Sequence, residues 1–218
     1  STPSELGRRQ YTSIVGVPIA SDRVQLGTRF DQGAYLVRTL SDVGVTVSAD
    51  SADAVLSVYD PNGDRVAHST SGGQTTSVAF TALANAPYAV TVSSPIASSF
   101  TVSSDYPFAR IADPDDGRAL SLDGSVMGSF DFYADVDLYT LDLREGQTVA
   151  VTAESTLSNP VLIVTRADGS STVTLDSTTT PLERGLLGND AVVLFTASAS
   201  RRYYIAVTDY SLLSAPQH

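Results

Sequence analysis

Asp135 and Asp137 stand at alternate positions inside the stretch Gly128-Ser129-Phe130-Asp131-Phe132-Tyr133-Ala134-Asp135-Val136-Asp137-Leu138-Tyr139-Thr140-Leu141-Asp142-Leu143. Three further carboxylates, Asp113, Asp115 and Asp116, precede them in Asp113-Pro114-Asp115-Asp116-Gly117. The longer stretch reads as an alternating strand, a tight acidic turn and a second alternating strand, which sets the Asp135 and Asp137 carboxylates side by side on one face. Neighbouring carboxylates repel unless water, an arginine or a cation lies between them. Hard oxygen donors, with Gly117 allowing a sharp bend, suit Ca²⁺, which takes about 6–8 oxygens. Asp113, Asp115, Asp116, Asp135 and Asp137 are therefore the candidate metal ligands. Their spacing misses the helix-loop-helix calcium pattern. A solvated acidic linker with strand-capping aspartates is the other reading.

Other chemistry-bearing residues point elsewhere. Asp60-Pro61-Asn62-Gly63-Asp64 resembles a metal loop, but its Pro and Gly are what a β-turn requires. His68 lies in a run of small polar residues, His218 is terminal, and there is no Gly-x-Ser-x-Gly elbow. A paired acid and base for glycoside cleavage need to face each other about 5 Å or more across a cleft, which two positions on one turn do not require. No catalytic residue is assigned, and the expectation is a protein that is not an enzyme. Tyr204 and Tyr210 are candidate ligand-surface residues, since exposed tyrosines make platforms for protein or polysaccharide. Tyr203 shares parity with the core residue Ile205.

The elements that would position these residues are strands. Of the 218 residues, 42 % are hydrophobic and only 8 % aromatic, a composition for a packed core of Val, Leu, Ala and Ile. The net charge is −11 and all 13 basic residues are Arg. An acidic surface repels phosphate backbones, which argues against nucleic acid and anionic membranes as partners. Without Cys there is no disulfide and no thiolate metal site. No apolar run approaches the roughly 20 residues of a membrane helix, so no membrane insertion is expected. The absence of an initiator Met and of a signal peptide suggests a processed or excised piece.

Thr, Ser and Val alternate between Gly and Pro punctuation with no sustained helical stripe, the pattern of short strands joined by turns. A repeat organises them. Tyr35-Leu36-Val37 answers Tyr139-Thr140-Leu141, and Val45–Asp50 answers Val149–Glu154. Val55–Gly63 answers Val161–Gly169, Val78–Ala82 answers Val193–Ala197, and Tyr88–Val92 answers Tyr203–Val207. The expected fold is all-β, two tandem antiparallel β-sandwich (jelly-roll-like) domains. Residues 1–13 form a lead-in, 14–104 the first domain, 105–119 an acidic linker and 120–218 the second. Phe80 and Phe195 are inward in this reading, and Thr81 and Thr196 outward. Copy one carries a further alternating strand, Phe100-Thr101-Val102-Ser103, with no comparable alternation after Tyr203–Val207. The last strand of copy two is thus expected at an open edge, closed by Tyr11–Val17, by a neighbouring molecule or by residues outside this chain.

The second copy resembles the bacterial pre-peptidase C-terminal (PPC) domain. The likeness covers roughly residues 113–209. It rests on the acidic lead, on Gly128-Ser129-Phe130-Asp131, then Asp135-Val136-Asp137-Leu138-Tyr139 and Glu145-Gly146-Gln147, followed by Tyr203-Tyr204-Ile205-Ala206-Val207. The first copy has Asp31-Gln32-Gly33 where that pattern has Asp-x-Asp. Such domains look related to the collagen-binding domains of clostridial collagenases. The resemblance implies a non-catalytic accessory module that is secreted, periplasmic or at the cell surface, covalently linked to an exported enzyme or to further repeats. It also implies calcium tying the acidic lead to the turn carboxylates.

Overall fold

The computed structural model describes residues 17–27, 31–69, 73–96, 98–113, 116–131, 134–154, 160–168, 171–177 and 191–209. The lead-in residues 1–13, Tyr11–Gly16, Asp115, Tyr210 and His218 lie outside them. Among the described residues all regular structure is β, and no helix is long and apolar enough to cross a membrane. The chain divides into two compact units at Ala112/Asp113, apart from Asp131, which groups with the first. Each has its own apolar core.

In the first unit the strands are β1 (Ile19–Leu26), β2 (Gln32–Arg38), β3 (Val43–Ala49), β4 (Val55–Tyr59), β5 (Arg65–Ser69), β6 (Thr76–Ala82), β7 (Pro87–Ser93) and β8 (Ser98–Arg110). They pair in the order β5-β4-β7-β2-β8-β3-β6, with β1 also on β8. β8 serves both layers of the sandwich. Its end at Phe108–Arg110 pairs with β2, while Val102–Ser104 pairs with β3. The strand continues through residues 105–110, which the sequence reading placed in the linker, and Ile111 N–H then donates to Ala34 O at 2.8 Å.

The second unit has β9 (Val136–Leu143), β10 (Thr148–Ala153), β11 (Pro160–Asp168), β12 (Ser171–Ser177), β13 (Ala191–Thr196) and β14 (Arg201–Asp209). One sheet runs β12-β11-β14-β9 and the other is β10-β13. The repeat is visible in the pairing registers. Val45 faces Phe80 as Val149 faces Phe195. Val37 faces Tyr88 as Leu141 faces Tyr203, and Val58 faces Val90 as Val164 faces Ile205. Period-2 alternation explains why: a slip of one residue would turn each strand's apolar set to solvent. Phe80 and Phe195 are buried, and Thr81 and Thr196 are exposed. Each Phe packs on the tyrosine that follows it, with centroids 5.3 Å apart for Phe80–Tyr88 and 5.6 Å for Phe195–Tyr203.

Two further expectations are corrected. Residues 121–131 carry no strand, although Gly128–Phe130 alternates; alternation makes a strand only when a neighbour supplies hydrogen bonds. Tyr203–Val207 is not at an open edge, because β14 pairs with β11 on one side and β9 on the other. In the first unit the free side of β2 is taken by β8. In the second, the corresponding side of β9 is taken by residues 117–120, part of this unit's own acidic lead-in, running parallel to it with a bridge between Ala119 and Thr140.

Candidate metal centre

The acidic lead-in is fastened to β9 by a short ladder of hydrogen bonds. Gly117 N–H donates to Leu138 O at 2.6 Å, Thr140 N–H to Arg118 O at 2.9 Å and Leu120 N–H to Thr140 O at 2.7 Å. Gly117 has φ 77°, the left-handed conformation a side chain would resist, and it turns the chain into this pairing. Asp116 completes the fastening: its Oδ1 accepts Leu138 N–H at 2.7 Å. Asp113 in turn accepts Asp116 N–H through Oδ1 at 3.2 Å, which closes a small turn at the start of the lead-in.

That turn delivers the Asp113 carboxylate to the start of β9. Asp135 and Asp137 have the same parity as the core residues Tyr139, Leu141 and Leu143, so they sit on the inward face at the rim of the sandwich. They are 0 % and 3 % exposed. Behind them Thr208 Oγ1 donates to Asp135 O at 2.8 Å and holds the turn against β14. Asp113, Asp135 and Asp137 each offer one carboxylate oxygen, and these atoms lie within 4.8 Å of one another.

Buried carboxylates this close cannot all carry charge on Coulombic grounds without a counter-charge or shared protons between them. The donor chemistry fits a hard cation. Carboxylate oxygens are what Ca²⁺ or Mg²⁺ takes, and the three gathered here would supply part of the ~6–8 donors that Ca²⁺ uses. Of the predicted ligands the structure thus gathers Asp113, Asp135 and Asp137. Asp116 stands beside them, with Oδ1 engaged by the backbone of β9.

The first unit shows what the same place looks like when filled differently. By register Asp31 corresponds to Asp135 and Gly33 to Asp137. A Cβ on Gly33 would lie 3.6 Å from Val24 Cγ1, so β1 puts an apolar side chain over the position where the second unit has a carboxylate. Nearby, Tyr35 Oη donates to Asp22 Oδ2 at 2.9 Å, and Arg110 Nη1 lies 3.4 Å from that same oxygen. Burial pushes the Asp31 carboxyl above its ordinary value, against the opposing pull of the Gly27 and Gln32 N–H groups and of the Arg110 charge. Burial and the Asp22 carboxylate likewise push the Tyr35 phenol up. Arg110 thus sets a guanidinium beside Asp22 and within electrostatic reach of Asp31. Sequence reasoning missed these neighbours because alternation within β2 does not say where Val24 of the preceding β1 will lie, and Arg110 comes from the distant β8; the departure from Asp-x-Asp at Gly33 was the available signal.

No family model and no curated protein matches this chain.

The remaining candidates are placed as follows. Tyr203 is 0 % exposed, its Oη bonded to Ala199 O at 3.0 Å, whereas Tyr204 is half-buried on the opposite face of β14. Asp60 forms a turn: its Oδ1 accepts N–H from Asn62 at 2.8 Å and from Asp64 at 3.0 Å, and Gly63 has φ 89°. Ser57 Oγ and His68 Nδ1 lie 2.9 Å apart as a cross-strand pair of β4 and β5. Burial and the Arg65 charge lower the His68 pKa.

Proposed function

We propose that this chain is a non-catalytic accessory or binding module of an exported bacterial protein, with the second unit stabilised by calcium. The observation that carries the reading is the gathering of Asp113 from the acidic lead-in with the buried Asp135 and Asp137 at the start of β9. A cation at that point ties the entrance of the unit to its first strand. Asp113, Asp135 and Asp137 would hold it, and it would supply charge neutralisation and a cross-link rather than a reaction. The acidic net charge of −11 accords with a module that avoids nucleic acid and anionic membranes, and the motif resemblance favours a secreted, periplasmic or cell-surface location. Tyr204 remains the described candidate for contact with an extracellular protein or polysaccharide.

Calorimetric Ca²⁺ titration of the full chain, with thermal unfolding, tests the metal. Saturable binding is expected with a rise of the second unit's melting transition, since ligand at about 100 times Kd adds about 2.7 kcal/mol. Asp135→Asn with Asp137→Asn should abolish both. Absence of saturable binding, or an unchanged response in that variant, would refute the calcium reading. The matching registers of the two units favour one further reading, a structural or adhesion repeat of a cell envelope. Additional copies in the full-length gene would support that array, and an adjoining peptidase domain would support the accessory module.

A further inference from the structure

The inward face of β3 is sealed in the first unit, where Val45, Val47 and Ala49 are 1 %, 2 % and 0 % exposed. β8 makes that seal. Its Val102–Ser104 pairs antiparallel with β3, and Phe100 and Val102 join the same core. Register makes β10 the counterpart of β3, with Val149, Val151 and Ala153 at the matching positions. All three are only partly buried. Among the described residues β10 hydrogen-bonds to β13 alone. The outer face of this two-stranded sheet carries two exposed apolar side chains among its threonines: Leu194 is 65 % and Val192 37 % exposed, at positions where the first unit has Ala79 and Ser77. Sheet edges are ordinarily guarded by charges, Pro or bulges, and Thr148–Ala153 contains no charge and no Pro.

We propose that β10 accepts an extended segment of another protein chain, with apolar side chains at alternate positions and Ser or Thr between them, in the place that β8 fills in the first unit. Strand addition of this kind draws affinity from main-chain hydrogen bonds and specificity from alternate side chains entering pockets. The register of the first unit sets the expected alignment, with the donor residue equivalent to Val102 opposite Ala153 and that equivalent to Ser104 opposite Val151. A second copy of this chain fits less well. Its β10 would keep Val149 and Val151 in its own core and leave the gap unfilled, and two chains each carrying −11 repel. The proposal does not depend on the carboxylate cluster, which lies at the start of β9.

The probe is an N-acetylated peptide copying Ser98–Ser104, added to the full chain and followed by fluorescence anisotropy and amide exchange. Saturable binding is expected, with slowed exchange confined to N–H groups within Thr148–Ala153. A peptide carrying Val102→Asp should bind at least about tenfold more weakly, because it would bury an unpaired charge. Four results would overturn the proposal: no saturable binding, equal binding of the Asp peptide, protection elsewhere in the chain, or edge amides already protected in the peptide-free protein, whether in the monomer or through self-association.

Discussion

Replacing Phe195 by Ala measures whether the two units share one plan of core packing. Phe195 is 8 % exposed, lies opposite Val149 across the β10–β13 pair, and has its ring 5.6 Å from that of Tyr203. Phe80 is 9 % exposed in the equivalent place, opposite Val45 and 5.3 Å from Tyr88. Truncating a buried Phe costs about 3–5 kcal/mol in lost transfer energy and cavity formation. Val149, Val151 and Ala153 are only partly buried, which lets the second core relax, so Phe195→Ala should fall toward the low end and Phe80→Ala toward the high end. At about 4–8 °C per kcal/mol for a domain of this size, the drop is on the order of 12–40 °C in the affected unit. Differential scanning calorimetry of the full chain reads it, with Thr81→Ala and Thr196→Ala as controls expected within about 0.5 kcal/mol. Threonine variants as damaging as the phenylalanine variants would show the assigned face to be wrong. A larger loss at Phe195 than at Phe80 would refute the inference that the second core relaxes more readily.

Further outcomes follow from single contacts. Asp116→Ala leaves Leu138 N–H without its carboxylate acceptor and should cost about 1–3 kcal/mol in the second unit, read by chemical denaturation, with faster amide exchange at Leu138 and Thr140. Tyr203→Phe removes a hydroxyl that donates to Ala199 O and accepts Ala199 N–H, and should cost about 0.5–1.5 kcal/mol while leaving the β14 register intact by NMR. Asp31 has a folded pKa raised above its ordinary 3.8, so the folded state holds that proton more tightly than the unfolded chain does. Stability of the first unit therefore falls as pH rises from about 3.8 through the raised value, and Asp31→Asn should remove that component of the fall in a denaturation series. Arg110→Gln should raise the Asp31 pKa further in an NMR titration, since the guanidinium opposes the shift.

Much of the architecture is legible in the sequence because its determinants are local. Val45/Val47, Val78/Phe80 and Tyr88/Val90/Val92 alternate with Ser, Thr and Ala, and the same pattern returns at Val149/Val151, Val193/Phe195 and Tyr203/Ile205/Val207. A period of two selects both the strand and its inward face, and the repetition of blocks selects the tandem plan. The pairing of Asp135 with Asp137 on one face followed from the same parity. Their burial did not, because it depends on where a distant segment runs. The lead-in, read as a linker, lies parallel along β9 and brings Asp113 to that rim, whereas β8 takes the matching position in the first unit and β1 places Val24 over Gly33. Strand edges are filled by whichever segment the chain can return to them, and alternation within one strand carries no information about that choice. So the sequence by itself determined the repeated strand blocks and the inward side of each, while tertiary pairing alone decided that residues 105–110 extend β8 and that 121–131 carry no strand, that Asp113, Asp135 and Asp137 converge, and that β10 has only one partner among the described strands.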